Sequence, residues 1–260
     1  MLMSIPVLQV SKNLRQSFVT SSKGDQLKWK IGNLWGKADK FGYEGLAEWV
    51  SYELITRSNI DKRLVVPYKR CLLIEDNDIT YEGCYSEDFL LPGESIITLH
   101  RVLESYGVNF EQLLQRQSAK SAILSIVDFL KSTLKLDTLN YISVMLSLDA
   151  FLLNEDRHLN NIAFIHGPAG YKLCPYFDHG LSLLSDTTDY PMTMPTSIAL
   201  RKVKAKPFST DFSKQARALE SPLSFNRSSV TSFIDENEAE LGRVAQILRT
   251  QINKYHFLFQ

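Results

Sequence analysis

Apolar and polar positions alternate with a period of two in the first third of the chain. Residues 26–32 place three apolar side chains on one face and two lysines on the other, namely Leu27, Trp29 and Ile31 against Lys28 and Lys30. This alternation predicts a half-buried strand whose lysine face looks onto something polar. Shorter strands are predicted at 63–66, 71–75 and 79–82, and a tight turn at 76–78 joins the last two.

One helix interrupts these strands. Apolar residues at positions 46, 47, 50, 54 and 55 recur with helical spacing, which predicts a helix that begins near Glu44 and buries one face. Glu44 and Glu48 lie one turn apart on it. The first third therefore predicts a small sheet that carries one helix.

The periodicity becomes helical after the turn signal at 91–93. Helices are predicted at 110–117, 119–135, 138–153 and about 235–256, and the third is apolar nearly all round, as expected for a helix buried at the centre of its unit. Residues 186–207 contain three prolines and no sustained periodicity, which predicts a long, partly mobile loop. Its basic end, from Arg201 to Lys206, is either a solvated surface or a dock for an acidic or phosphorylated peptide.

These elements predict an α+β protein with a β-rich unit at residues 1–92 and a helical unit at residues 93–260. Lys plus Arg and Asp plus Glu both number 29, so net charge gives no reason to expect a nucleic acid or an anionic membrane as a partner. Three widely spaced cysteines predict neither a disulfide framework nor a zinc site. No segment predicts a membrane span or a conventional export signal, so we expect a cytoplasmic protein, while specialised export as an effector would leave no mark in this pattern.

Two motifs follow the predicted buried helix. The segment NEDRHLNN at 154–161 leads into a short apolar run, and the segment YFDHG at 176–180 places a carboxylate between a short strand and a glycine. Protein kinases arrange their phosphoryl-transfer groups in this order, with an Asp near the attacking hydroxyl, an Asn five residues later and a downstream Asp-x-Gly. The pair of motifs indicates chemistry on ATP with Mg²⁺.

Each group has a candidate role in phosphoryl transfer. Asp156 would orient the incoming hydroxyl, and Arg157 and His158 would support its loop. Asn161 and Asp178 offer a neutral and an ionised oxygen, which hard Mg²⁺ ions accept. A lone Asp-Arg-His is often a surface turn, so this interpretation depends on the two motifs together.

Lys30 is the best candidate for binding the α- and β-phosphates. An acidic residue on the next helix would hold it in place, with Glu48 the first choice and Glu44 the second. Taken singly, Lys30 would be a solvated strand residue, and the glutamates would cover the solvent face of a helix near its N-terminus.

The segment SFVTSSKG at 17–24 precedes that strand. Its Ser21, Ser22, Lys23 and Gly24 could close over the phosphates through backbone N–H groups and hydroxyls, although neither a Walker pattern nor G-x-G-x-x-G is present. Phosphorylation of Thr20, Ser21 or Ser22 would place a dianion in such a loop and repel ATP, which predicts self-inhibition.

The motifs resemble those of the HipA-like serine/threonine kinases. The loop N-x-D-x-H-x-x-N stands here as Asn154, Asp156, His158 and Asn161, and its D-R-H-x-x-N form is also similar to the phosphatidylinositol kinase loop. LKWKIG at 27–32 with GYEGLAEW at 42–49 looks like the nucleotide-lysine strand and the next helix of short bacterial HipA-like proteins, and 84–89 looks like a hinge to adenine. Asp178 is followed by His179 where Phe is usual, and the chain is short for a full-length HipA toxin.

The resemblance implies a kinase-like bilobal fold, dependence on ATP and magnesium, and phosphorylation of protein Ser or Thr residues, including the protein itself. It implies Asp156 as the catalytic base, Asn161 and Asp178 as metal ligands and Lys30 as the phosphate-binding lysine. The same loop also suits a lipid or small-molecule kinase, because it specifies the phosphoryl donor more than the acceptor. A nucleotide-binding pseudokinase that acts as a regulatory module is the third hypothesis, and the oligomeric state stays open.

Overall fold

The computed structural model describes residues 5–16, 26–76 and 78–260. The residues predicted to close over the phosphates, Thr20, Ser21, Ser22, Lys23 and Gly24, lie outside these ranges. The described chain begins with a mixed sheet of six strands in the spatial order β1-β5-β6-β4-β3-β2, in which β1 is parallel to β5 and the other pairs are antiparallel. The strands are β1 (Val7–Val10), β2 (Arg15–Gln16), β3 (Lys28–Ile31), β4 (Leu34–Ala38), β5 (Lys69–Glu75) and β6 (Ile79–Glu87).

Strand β4 was not predicted from the pattern of the sequence, and it forms a hairpin with β3. A two-residue turn joins them, since Ile31 pairs with Leu34, and Gly32 occupies the left-handed region with φ of 57°. Glycine adopts this conformation without steric cost, so Gly-Asn is a recognisable hairpin signal. The predicted strand at 63–66 is wrong. Asp61 accepts a hydrogen bond from the backbone of Arg63, Lys62–Leu64 form a 3₁₀ turn, and Val65 then forms an isolated bridge with Tyr176.

Helix α1 (Glu44–Ile55) packs directly on the sheet. A Cβ atom on Gly45 would lie 2.5 Å from the carbonyl carbon of Gly83 in β6, and a Cβ atom on Gly83 would lie 2.1 Å from the Lys37 carbonyl oxygen in β4. Only glycine fits at both contacts, because real Cβ atoms never approach backbone so closely. Gly45 therefore lets α1 lie directly against β6, while Gly83 lets β6 lie close to β4.

A second, three-stranded sheet follows, in the antiparallel order β7-β8-β9 with β7 (Ser95–Thr98), β8 (Ala163–Gly167) and β9 (Gly170–Leu173). The helices are α2 (Leu99–Ser105), α3 (Phe110–Arg116), α4 (Ala119–Thr133), α5 (Leu139–Leu152), α6 (Thr196–Lys202), α7 (Phe212–Ala216), α8 (Arg227–Glu236), α9 (Glu238–Leu241) and α10 (Arg243–Lys254). Helix α5 is buried from Tyr141 to Leu152, as its nearly continuous apolar sequence predicts.

Two predictions for this part of the chain are wrong. The single helix expected at about 235–256 is divided, because Gly242 has φ of 51° and ends α9 before α10 begins. The loop expected at 186–207 contains α6, and Ala199, Val203 and Ala205 bury their side chains in the core. Within the described ranges, no helix combines the length and the apolar character needed to cross a membrane.

Candidate active site

A cleft of about 460 Å³ lies between the six-stranded sheet and the helical part. This volume falls in the range of small-molecule and cofactor sites. Apolar and polar side chains from both parts line it, including Lys28, Trp35, Lys37, Tyr68, Phe89, Ile96, Thr98, Asp156, His158, Asn161, Phe177 and Asp178. The cleft thus brings together most of the residues that the two motifs predicted.

The segment after α5 is held to that helix by buried ionic contacts. Leu153 ends the helix in the left-handed conformation, and the Asp149 carboxylate then accepts hydrogen bonds from Arg157 Nε at 2.9 Å, Arg157 Nη2 at 3.0 Å and Asn154 Nδ2 at 2.8 Å. Arg157 Nη1 also donates to the carbonyl oxygen of Asn161 at 2.6 Å. Both Arg157 and Asp149 are 0% exposed. Arg157 therefore fixes the loop to α5 and does not line the cleft.

Asp156 and Asn161 are positioned against each other by this loop. Asn161 Nδ2 donates to the Asp156 carbonyl oxygen at 2.9 Å, and the Asp156 backbone N–H donates to Asn154 Oδ1 at 3.2 Å. The Asp156 carboxylate has His158 Nε2 at 3.6 Å on one oxygen and Lys206 Nζ at 3.8 Å on the other. Lys206 was not predicted at the site, because it comes from a segment 50 residues further along the chain.

His158 is oriented by its own backbone neighbourhood. Its Nδ1 accepts a hydrogen bond from the Asn160 backbone N–H at 3.2 Å, which leaves Nε2 as the nitrogen that faces Asp156. Burial lowers the pKa of His158, and the opposing attraction of the Asp156 carboxylate does not outweigh it. The adjacent Asn160 side chain accepts a hydrogen bond from Thr98 at 3.2 Å, in keeping with Asn161 as the better ligand candidate.

Asp178 is joined to the sheet through Lys37. Lys37 Nζ lies 2.8 Å from Asp178 Oδ1 and 2.7 Å from Glu48 Oε1, and it also donates to the Tyr68 hydroxyl at 3.3 Å. Burial alone would lower the pKa of Lys37, but the two carboxylates raise it well above its usual range. Burial alone would raise the pKa of Asp178, but Lys37 and Lys28 hold it well below its usual range. The lysine and Asp178 are both ionised at neutral pH.

In the part of the chain that the structure describes, Lys30 does not form the expected ion pair with Glu48. Lys30 is ion-paired with Asp88 and lies over the Trp35 ring, with Nζ 4.7 Å from the ring centroid. The register explains this difference, because β3 and β4 place Lys28 opposite Lys37 and Lys30 opposite Trp35. Glu48 therefore meets a lysine of β4, the strand that was not predicted. The signal that could have found it is the turn Gly32-Asn33 followed by LWGKA.

Glu44 has a local structural role in the described structure. Its carboxylate accepts hydrogen bonds from the backbone N–H groups of Lys40, Phe41 and Gly42, at 3.0, 2.7 and 3.0 Å. These bonds fold the turn that leads into α1. Glu44, the second choice as the partner of Lys30, thus stabilises the turn at the start of the helix, where a negative charge is favoured.

The residues after Asp178 hold it close to α1. Asp178 has φ of 61°, a conformation that is uncommon for a residue other than glycine, and the next backbone N–H, of His179, donates to Glu48 Oε2 at 2.9 Å. The His179 ring is buried, and its two nitrogens have no hydrogen-bond partner within the described ranges. Burial lowers the pKa of His179 well below its usual range, so the ring is neutral.

Asn161 and Asp178 suit a divalent cation by their chemistry. The Asn161 amide nitrogen is bound to the Asp156 carbonyl oxygen, so its Oδ1 is the atom left to act as an acceptor, and Asp178 contributes an ionised carboxylate. Both residues line the cleft. An amide oxygen and a carboxylate oxygen are ligands that Mg²⁺ accepts.

The segment expected as a hinge to adenine also lines the cleft. Strand β5 begins at Lys69, opposite Tyr85 in β6, so the residues that follow Tyr85 extend beyond the end of β5. Ser86, Asp88 and Phe89 line the cleft there, with Trp35 and Tyr68 beside them. This end of the cleft combines aromatic side chains with strand backbone.

Comparisons with known proteins identify the fold. No protein-family model and no curated protein matches the chain. Among solved structures, it is similar to the crystal structure of a Helicobacter pylori proinflammatory kinase, CtkA, with a TM-score of 0.54 and 13% identity over 97% of this chain and 95% of that one. A weaker match is HipA, from a toxin–antitoxin complex of Shewanella oneidensis MR-1 with HipB and operator DNA. Its TM-score is 0.41, with 13% identity over 98% of this chain and 60% of that one, and this TM-score is too low to define the fold. The likeness to CtkA confirms the predicted α+β, kinase-like fold.

Proposed function

We propose that this protein is a HipA-like serine/threonine kinase that transfers the γ-phosphoryl group of MgATP to protein hydroxyls, its own included. One observation carries the proposal. Lys37, Glu48 and Asp178 form a single ionic network, and Lys37 and Asp178 line the same cleft as Asp156 and Asn161. Kinases use a strand lysine, a helix glutamate, a metal-binding Asp, a loop Asp and a loop Asn for this transfer.

The residues divide the work of positioning and charge neutralisation. Lys37, with Lys28 beside it on β3, would bind the α- and β-phosphates, and Trp35, Tyr68 and the backbone beyond Tyr85 would hold the adenine. Asn161 and Asp178 would hold Mg²⁺, which would neutralise charge on the phosphate oxygens. Lys37 takes the role expected of Lys30, which is engaged by Asp88.

Asp156 orients the acceptor hydroxyl and takes its proton as the new bond to phosphorus forms. Arg157 and His158 act on this step through the loop. Arg157 fixes the loop to α5, and His158 faces the second oxygen of the Asp156 carboxylate. Arg157 is therefore a positioning residue.

The test is transfer of radiolabelled γ-phosphate from MgATP to the protein itself and to a generic basic acceptor protein. Asp156→Asn and Asp178→Asn are each expected to lower the initial rate by about 100-fold or more, because a general base and a metal ligand are lost. The matched control is Asp128→Asn, an exposed carboxylate on α4, which should transfer at the wild-type rate. Equal rates in Asp156→Asn and wild type would refute the assignment of Asp156.

The acceptor classes are separated in the same assay. Label on inositol lipid or on an aminoglycoside, and none on protein, would replace the protein kinase with a lipid or small-molecule kinase. Binding of ATP without transfer to any acceptor would identify a pseudokinase. Peptide mapping of the labelled protein tests the predicted phosphorylation of Thr20, Ser21 or Ser22.

A further inference from the structure

Lys206 lies beside Asp156, which lines the cleft, although no motif includes it. Its Nζ is 3.8 Å from Asp156 Oδ1, and its side chain is 45% exposed, so the ammonium group can reach an incoming ligand. We propose that Lys206 is a catalytic residue that binds the γ-phosphoryl group during transfer. The inference rests on the proposed kinase function and adds a residue to its machinery.

The backbone that carries Lys206 is fixed by a buried side chain. Gln215 of α7 is 1% exposed, its Nε2 donates to the Lys206 carbonyl oxygen at 2.8 Å, and its Oε1 accepts from the backbone N–H groups of Phe208 and Ser209 at 3.0 and 3.2 Å. Ala205 N–H also donates to the Thr210 carbonyl oxygen at 3.1 Å. A buried amide that binds three backbone groups holds the segment at one place, as preorganised catalysis requires.

Apolar contacts on both sides of Lys206 add to this anchoring. Ala205 and Phe208 are buried in the core, and the Phe208 ring meets Phe110 of α3 edge to face, with centroids 5.5 Å apart. Lys206 is thus an exposed cation on a segment whose neighbours are buried. This arrangement differs from that of a lysine on a mobile surface loop, whose ammonium would have no defined position.

The balance of charge in the site indicates what the Lys206 ammonium group would neutralise. Lys37 already has two carboxylates within 2.8 Å, so its charge is largely balanced before nucleotide binds. The transferring group carries negative charge on three equatorial oxygens, and it must meet the acceptor beside Asp156, another anion. A lysine at Asp156 offsets both charges and can move from the carboxylate to the phosphoryl oxygens over a short distance.

The step is a direct transfer. The bond between the γ-phosphorus and the β–γ bridging oxygen breaks, and its electron pair leaves with ADP. The bond between the acceptor oxygen and the γ-phosphorus forms, and the hydroxyl proton passes to the Asp156 carboxylate. Lys206 keeps its three protons throughout and contributes hydrogen bonds and charge to the γ-phosphoryl oxygens.

A different role for Lys206 would be to hold an anionic group of the acceptor. The two roles differ in what they stabilise, because a cation on the transferring group matters most when that group is planar, with or without a protein acceptor. The probe is ADP with Mg²⁺ and aluminium fluoride. The planar aluminium fluoride group mimics the phosphoryl group during transfer. Its Kd is compared with the Kd of ADP and Mg²⁺ alone by calorimetry, with no acceptor present.

Lys206→Met is expected to weaken binding of the aluminium fluoride complex by roughly 10-fold or more and to leave the Kd of ADP within about 2-fold. Lys206→Arg should restore part of the loss, because it keeps the charge. Lys204→Ala, an exposed lysine of the same segment, is the matched control and should bind both ligands as wild type does. Relative to wild type, Lys206→Met should slow ATP hydrolysis without acceptor and phosphorylation of the basic acceptor protein by similar factors.

Equal affinity of wild type and Lys206→Met for the aluminium fluoride complex would overturn the proposal. The proposal would also be overturned if Lys206→Met raised the KM for the basic acceptor protein and left the rate of ATP hydrolysis unchanged. That result would assign Lys206 to acceptor binding. If wild type transfers phosphate and Lys206→Met does so equally well, only this inference fails. If wild type neither transfers phosphate nor distinguishes ADP from its aluminium fluoride complex, the proposed kinase function fails with it.

Discussion

At the residue scale, the structure distinguishes three lysines, of which the pattern of the sequence favoured Lys30. Lys28, Lys30 and Lys37 lie on one hairpin, and Lys37 is the one that meets Glu48. Lys37 is buried between two carboxylates, whereas Lys30 pairs with Asp88 at the rim of the cleft. Burial raises the energetic importance of the Lys37 pairs, because removal of one partner leaves an uncompensated charge.

Replacement of the two lysines should therefore have different consequences. Lys37→Met is expected to lower phosphoryl transfer by about 100-fold, because it removes the cation that we propose binds phosphate and breaks the ion pairs with Glu48 and Asp178. Lys30→Met should keep transfer within about 3-fold of wild type, as expected for a partly exposed pair. Initial rates are measured at saturating MgATP, with circular dichroism to show that each variant is folded. The reverse order of effects would return the phosphate-binding role to Lys30.

At the element scale, the position of α1 depends on a contact between two backbones. Gly45 on the helix lies so close to the Gly83 backbone on β6 that it cannot carry a side chain, and the Lys37 carbonyl group of β4 excludes a side chain from Gly83. This contact brings the helix near enough to β4 for Glu48 to reach Lys37 at 2.7 Å. Helix propensity and apolar spacing predicted the helix, but neither includes the distance to the sheet.

Gly45→Ala tests this contact with opposing expectations. Intrinsic propensity alone would make alanine more stable in a helix by about 1 kcal/mol. The clash with Gly83 backbone should reverse the sign, and we expect a net loss of about 1–3 kcal/mol, as for an overpacked core. Urea denaturation measures the free energy of unfolding. A gain in stability would show that α1 can move away from β6 at no cost.

At the scale of the whole molecule, buried carboxylates make the stability depend on pH. Burial raises the pKa of Asp39 to about 7, although its Oδ1 accepts a hydrogen bond from the Gly45 N–H at 2.6 Å. Between the ordinary pKa of Asp, about 3.9, and this value, the folded state binds more protons than the unfolded state. The contribution of Asp39 to stability therefore falls as the pH rises through this window.

Asp39→Asn removes this dependence and keeps an acceptor for the Gly45 N–H. Relative to wild type, the variant should gain on the order of 2 kcal/mol in free energy of unfolding between pH 4 and pH 8, about half of the full linkage because the side chain is partly exposed. Urea denaturation at several pH values provides the difference. A constant difference across this range would show that Asp39 titrates alike in the folded and unfolded states.

Local signals were sufficient for much of the molecule. Continuous apolar sequence predicted the buried α5, alternation predicted β3, and the spacing of Asp156, Asn161 and Asp178 led to residues that line one cleft. Signals of this kind depend on neighbours within a few residues. They failed where a glycine ended a helix at Gly242 and where an Asp61 side chain replaced a strand by a 3₁₀ turn.

The sequence by itself determined the two-part α+β architecture and the order of the two motifs that follow the buried helix, because periodicity and motif spacing are local properties. Only the tertiary structure decided which lysine meets Glu48 and Asp178, and that Lys206 stands beside Asp156. The physical reason is that register between strands and packing between separate elements bring together residues that are 11, 50 and 141 positions apart, a relation that no local pattern encodes.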